Sequence, residues 1–443
     1  MVNAIFIIVF FLILAALVIT RKLPAFIALI VMGVGIALIA GVPLFGQDDD
    51  GKAIGVLETV IGSGAMMMSA AMGAVLFGAW LGRMVTATGV SRKLINVAAE
   101  LGGDRPLIVA LCLSAVIALL WTTLAGLGSQ IMLGSIAIPI LIAVGIPPIM
   151  AGSIYILAMV LGWNFNLAQW ASFMNIFGCT QDQIRQFATI LFFINAVVVI
   201  AYILIEFKRK GIRYAFSAPV DAKPEAEVQL VEGEEALIKG WRGVFCCLGP
   251  LVPIVLVMLL KMSIIPAFII GIIWLTSFSA KGSFTKVMSK LVKCAYDGIQ
   301  DVAPAIFLFV SIGIVYTAVT HPTVKAVLSP MVTAIVPTNL IGYILFFVIL
   351  APLALYRGPL NLFGLGSGIA AMLATGNTLP MLAVMGAFVA LERIQAAGCP
   401  TNTHNVWVCN FIGEDVSLVT WKFLPYIWAM AGVGVIVSAI LYL

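Results

Sequence analysis

Two short stretches carry the same glycine-rich tetrapeptide inside otherwise apolar sequence: "GLGSQI" at 126–131 and "GLGSGI" at 364–369. Glycine permits φ > 0 and lets backbone approach a ligand closely. Backbone that opens at such a tip inside a membrane presents free N–H groups at helix N-termini, which attract an anion, and freed carbonyls, which attract a small cation. The hydroxyls of Ser129 and Ser367 add cation ligands and Gln130 adds an amide. The tip candidates are therefore Gly128, Ser129, Gln130, Gly366 and Ser367. The alternative use of such glycines is close packing between helices. A second pair of polar clusters follows the tips: Asn164 and Asn166 in "WNFN", then Thr401, Asn402, Thr403, His404 and Asn405 in "PTNTHN". Gly398 and Pro400 break the helix at the second cluster. Uncharged amides and hydroxyls suit an ion or a substrate oxygen that must be bound and then released; hydrogen bonding between helices is their other use. His404 could relay protons, or simply satisfy a hydrogen bond.

Ionisable residues within apolar spans are rare and mark function. Arg357, in "YRGPLNLFGLGS", stands nine residues before Gly366, with Asn361 between them. The matching stretch of the first half, "WTTLAGLGS", holds Thr122 and Thr123 and no charge. One cation for two similar tips suits a single bound anion, and a guanidinium fork matches a carboxylate through two hydrogen bonds. An ion pair with Glu392 or Asp301 is the alternative role for Arg357. Adjacent residues on a helix point about 100° apart, which predicts that Glu392 and Arg393 do not pair with each other. Glu392 and Asp301 are also the carboxylates that could carry a coupling ion.

What must position these residues is a membrane protein. Of 443 residues, 63% are hydrophobic and only 10% charged, against about 25% charged in soluble domains. Apolar runs long enough for a hydrocarbon core of roughly 30 Å recur from end to end. Spans are predicted at 3–19, 23–44, 57–86, 148–173 and 187–206, then at 243–261, 264–280, 298–320, 379–400 and 421–441. The first reads as a retained span rather than a signal peptide. Segments 106–146 and 339–378 read as re-entrant hairpins, because their central glycines would otherwise need an external turn almost without polar residues. The expectation is an all-α polytopic protein with ten spans and two hairpins. Residues 1–206 and 241–443 form two repeats, and the polar stretch 207–240 links them on the cytoplasmic side.

Arg21, Lys22, Arg83, Arg92, Lys93, Arg105, the basic run at 208–210, Arg242 and the lysines between 281 and 293 then share one side. The acidic "DDDGK" at 48–52 lies on the other, which puts both termini outside. Five spans per half invert the second repeat relative to the first, the architecture of many secondary transporters. Ala70, Ala74, Gly78 and Gly82, four residues apart, give the third span a smooth ridge for helix contact. Two histidines are too few for a His-based metal site, and seven cysteines without CxxC spacing give no disulfide framework. Basic residues at helix ends concern orientation rather than nucleic acid, and no nucleophile elbow or metal-ligand spacing indicates an enzyme.

In layout the chain resembles the ion transporter superfamily, which includes gluconate permeases, citrate–metal carriers and divalent-anion/sodium symporters. The resemblance rests on the two hairpin tips, on the "PTNTHNVW" break, and on a C-terminal stretch where "TW" opens the last span. It implies an elevator-type, dimeric carrier in a bacterial inner membrane. Such a carrier moves a carboxylate such as citrate, gluconate or a dicarboxylate together with Na⁺ or H⁺. Hairpin-tip positions of the superfamily map to Gly128, Ser129, Gly366 and Ser367, and break positions to Asn164, Asn166, Thr401, Asn402 and Asn405. The chain departs from the Ser-Asn-Thr tips of the sodium/dicarboxylate branch, having "GSQ" and "GSG" there. A cation/proton antiporter of the same superfamily, resting on Asp301 or Glu392, and an ion channel are the other readings of the same residues.

Overall fold

The computed structural model describes residues 2–20, 22–47, 51, 53–212, 237–376 and 378–443. Arg21, the acidic residues 48–50, Lys52 and residues 213–236 of the expected linker lie outside the described residues.

Apolar sequence in hydrocarbon must satisfy its own backbone, and helices do so within one segment. The described chain is accordingly helical throughout. The first half runs α1 (Val2–Ile19), α2 (Ala25–Ala40), a π-helical turn (Val56–Ser63) continuing into α3 (Gly64–Met67) and α4 (Ser69–Ala87), and α5 (Val90–Gly102). Then come α6 (Pro106–Trp121), α7 (Leu127–Ala143), α8 (Pro148–Trp163), α9 (Leu167–Phe177) and α10 (Gln181–Lys210). The second half follows the same order: α11 (Trp241–Cys247) with α12 (Leu251–Leu260), α13 (Ile264–Ser279), α14 (Phe284–Thr320) and α15 (Pro322–Ile335). After them come α16 (Leu340–Ile349), a 3-10 turn (Ala351–Arg357), α17 (Gly366–Thr375), α18 (Met381–Gly398), α19 (Thr403–Phe411) and α20 (Val416–Tyr442). Among the described residues six helices are long and apolar enough to cross a membrane, or up to nine if each bent pair is one span.

Several boundaries differ from expectation for local reasons. The span expected at 148–173 is bent by 58° between α8 and α9, and that expected at 243–261 is bent by 62° between α11 and α12. The second bend falls at Gly249-Pro250, where proline removes a backbone donor. α14 begins 14 residues earlier than the apolar run, at a Ser283 cap that accepts from the Lys286 N–H, so a polar amphipathic extension carries the helix beyond its hydrophobic part. α10 starts on a capping box between Thr180 and Gln183 and stops at Gly211 in the left-handed region, the usual start and stop chemistry.

Burial separates two kinds of helix. In α8 every residue from Met150 to Gly162 is buried, and in α18 every residue from Ala383 to Gly398. A helix covered on all sides packs only against protein. α1 instead leaves Ile5, Phe6 and Leu12 more than half exposed, as a lipid-facing helix does. The halves interlock: α7 of the first hairpin packs on α19, and α17 of the second packs on α9. α14 runs through the centre, in contact with α2, α3, α4, α7 and α17.

The α14–α3 crossing is tight because both sides are glycine. A Cβ on Gly313 would collide with the Gly64 carbonyl, and one on Gly64 would stand 2.8 Å from the Ile314 Cα. The Thr317 hydroxyl then donates to the Val60 carbonyl at 2.9 Å. Gly313→Val should lower the thermal unfolding midpoint of the solubilised protein, at the overpacking cost of about 1–3 kcal/mol. An unchanged midpoint would show that this crossing carries no strain.

Candidate functional site

Four broken elements meet around one cavity of about 510 Å³, within the range of about 300–1,000 Å³ for small-molecule sites. Each break creates carbonyls and N–H groups that helix geometry no longer pairs, and the sequence supplies a staple for each.

At the first hairpin, α6 ends at Trp121 and α7 begins after Gly126. The Asn166 amide donates to the carbonyls of Trp121 and Leu124 at 2.9 and 3.0 Å. Its oxygen accepts from the Gln169 N–H at 3.1 Å and so caps α9. A single side chain thus ties the hairpin tip to the α8–α9 break. Asn164 turns away from the cavity: it donates to the Leu161 carbonyl at 2.9 Å and accepts from Asn195 at 3.1 Å. Ser129 and Gln130 are buried in helix packing, Ser129 against Gly82 and Gln130 beside the Tyr155 hydroxyl, and neither lines the cavity. Gly126 and Gly128 do.

The second hairpin is built differently. Tyr356 and Arg357 sit at φ 54° and 59°, a region that L residues enter only when the surrounding structure imposes it. Asn361 imposes part of it, donating to the Ala354 carbonyl at 2.8 Å and accepting from the Phe363 N–H at 3.0 Å. Gly364 and Gly366 allow the folded tip to close, since Cβ atoms there would stand 2.6 Å from the Arg357 carbonyl and 2.7 Å from the Asn361 backbone. The Ser367 hydroxyl donates to the Gly364 carbonyl at 2.9 Å. Asn361, Gly366 and Ser367 therefore do not line the cavity; they hold Arg357, which does. Arg357 Nη1 donates to the Phe363 carbonyl at 2.7 Å.

At the α18–α19 break, Asn402 donates to the Gln395 carbonyl at 2.8 Å, and Asn405 to those of Ala396 and Cys399, both at 3.1 Å. His404 Nε2 donates to the Ala396 carbonyl at 3.0 Å, and its ring meets Trp163 edge-on with centroids 4.9 Å apart. Asn402, Thr403 and His404 line the cavity, whereas Thr401, hydrogen-bonded to Cys399, and Asn405 do not. The first turns of α7 and α19 both border it without any side-chain cap, which leaves the N–H groups and positive dipole end of α19 available.

The charges resolve into two pairs and a remainder. Arg83 holds Asp301 through two hydrogen bonds of 2.5 and 2.6 Å. This pair joins α4 to α14 and lies against the first tip, where a Cβ on Gly128 would reach 2.5 Å from Asp301 Oδ2. Glu392 pairs with Arg393, contrary to the expectation from their 100° separation. The two long side chains bend toward each other in a site 1% exposed, where an unpaired charge costs several kcal/mol. The Gln169 amide also donates to Glu392 at 3.5 Å, and Arg393 donates to the Val160 carbonyl at 3.1 Å. Arg357 pairs with neither Asp301 nor Glu392, and among the described residues it forms no salt bridge.

Sequence reasoning missed Arg83, which it treated as a charge at the membrane face, together with Gln169, Gln300, Gln395 and the aromatic walls of Trp121, Trp163, Phe309 and Phe363. The signal for Arg83 was available: it lies inside α4, before the helix ends at Ala87.

No protein-family profile and no curated protein matches the chain. Solved structures do. The YdaH transporter of Alcanivorax borkumensis superposes with a TM-score of 0.61 at 14% identity, covering 94% of this chain and 97% of that one. MtrF of Neisseria gonorrhoeae, described among a class of antimetabolite efflux pumps, gives 0.57 at 13% identity, covering 95% of each. At these identities the likeness is one of fold. The chain has the all-helical, multi-pass fold of these transporters along nearly its whole length.

The Arg83–Asp301 geometry makes a specific prediction. Arg83→Ala and Asp301→Ala should each lower the unfolding midpoint, by less than the about 3–5 kcal/mol of a fully buried pair, because Arg83 keeps 23% exposure. The exchanged pair Arg83→Asp with Asp301→Arg should recover part of the loss in the same unfolding assay. Losses that simply add in the exchanged protein would refute the coupling.

Proposed function

We propose that this chain is a secondary active transporter for a small organic anion, bound in the central cavity by Arg357. The observation that carries the reading is Arg357 itself: a guanidinium facing the cavity without a carboxylate partner, on a turn held in the left-handed region by Asn361 and two glycines. An isolated cation in low dielectric is costly, and a bound anion offsets that cost. The uncapped start of α19 adds the Thr403 N–H on the same cavity. The likeness in fold to two transporters supports transport over catalysis or a channel.

In this reading the halves, which share their order of elements, are inverted repeats of an elevator-type carrier of the ion transporter superfamily. The carrier works as a dimer in a bacterial inner membrane. Among the coupling candidates, the hydroxyls of Ser129, Ser367 and Thr401 lie off the cavity, whereas Thr403, Asp301, Glu392 and His404 line it; one hydroxyl against three groups that can carry a proton favours H⁺ over Na⁺. Asp301, held by Arg83, is the weaker carrier of a coupling ion.

Arg357→Ala, reconstituted in proteoliposomes, should lose at least about 100-fold of anion counterflow, the order of a charged hydrogen bond at a buried site. It should elute and unfold as the parent protein does. Undiminished counterflow would remove Arg357 from the site.

A further inference from the structure

We propose that the anion is a monocarboxylate with an apolar or aromatic body, rather than a dicarboxylate, a tricarboxylate or a polyhydroxy acid. The inference deepens the reading above and rests on Arg357 as the anion-binding group. Its first support is charge. Arg83 cancels Asp301, Arg393 cancels Glu392, and Arg357 remains as the one cavity cation outside a salt bridge among the described residues. A second negative charge on the ligand would meet no further cation outside a salt bridge and would stand in a cavity whose wall also carries two carboxylates. At short range in low dielectric that is heavily unfavourable.

The second support is the wall. Phe309, Phe363, Leu308, Ile131, Trp121 and Trp163 all face the cavity. Phe309 and Phe363 lie with ring centroids 6.3 Å apart, and Trp121 and Trp163 meet edge-on at 5.9 Å. Burial of an apolar or aromatic body against such faces is favourable without further polar partners. The third support is hydrogen-bonding capacity. The amides of Asn166, Asn402 and Asn405 and the Ser172 hydroxyl are committed to backbone carbonyls. Gln169 and Gln395 each leave an amide oxygen unpartnered, and Trp121 leaves its indole N–H. A site rich in committed donors and open acceptors can answer one donor group on the ligand. The many oxygens of citrate or gluconate outnumber the donors left on Arg357, the Trp121 indole and the α19 start, and part of their desolvation would go uncompensated.

The test uses the purified full-length protein at pH 7.5 with phenylacetate, hexanoate, succinate, citrate and gluconate as probes. Affinities come from the concentration dependence of the unfolding midpoint. Phenylacetate and hexanoate should bind at least about tenfold more tightly than the other three probes, a difference of about 1.4 kcal/mol. Phe309→Ala should weaken phenylacetate about tenfold and leave succinate unchanged, and Arg357→Gln should remove the shift from every probe. Arg357→Lys, which keeps the charge, should retain part of it and so separates loss of binding from loss of fold. Tighter binding of succinate, citrate or gluconate, still lost in Arg357→Gln, overturns the substrate class and leaves the anion site standing. Phenylacetate binding that survives Arg357→Gln overturns both, and so does the absence of a shift with all five probes.

Discussion

A helix that stops inside a hydrocarbon slab exposes carbonyls and N–H groups to a solvent that cannot hydrogen-bond them, and everything at the centre of this protein follows from that constraint. Asn166 closes the first hairpin against the α8–α9 break, Asn361 folds the second hairpin on itself, and Asn402 with Asn405 mends the α18–α19 break. An amide suits the task because it donates and accepts at once. Amides engaged in this way keep little hydrogen-bonding capacity for anything else. What is left uncommitted around the cavity includes Arg357's remaining N–H donors, the Trp121 indole N–H, the uncapped start of α19 and a few amide oxygens. The chemistry of the site is the remainder after the backbone has been satisfied.

The ionic pairs obey the same economy. Two carboxylates and two guanidiniums pair off within or beside the cavity. Each pair also ties elements together: Arg83 with Asp301 links a helix of the first half to one of the second, and Arg393 reaches from α18 to the Val160 carbonyl of α8. Because both pairs are nearly neutral, the field inside the cavity is set by the group that stands apart, Arg357, with help from the dipole of α19.

How much of this could be read from the chain depended on the range of the forces involved. The all-helical, multi-span character follows from composition, and both asparagine clusters fall at real helix breaks because proline, glycine and amides act locally. Arg357 stood out because a lone charge in an apolar run has few explanations. What escapes a local reading is set by burial and packing. The Cβ atoms of Glu392 and Arg393 leave the helix in different directions, yet side chains this long close that angle when burial forbids an unpaired charge. Arg83 looked like a topogenic charge because its partner Asp301 lies 218 residues away, and no local pattern announces such a contact. The aromatic walls come from four separate elements, whose meeting is decided by packing alone.

The repeated "GLGS" shows how the same letters serve different physics. In the second copy the glycines are needed inside the hairpin, where Gly364 and Gly366 lie against the turn that carries Arg357. In the first copy they are needed by a neighbour: Gly126 and Gly128 leave room for Asp301 and the guanidinium that holds it. One tip therefore presents a cation of its own, while the other is covered by a neutralised pair from α4 and α14. The two tips differ in charge because they differ in what their missing side chains admit. The asymmetry lies in Arg357, Arg83 and Asp301, outside the repeated tetrapeptide.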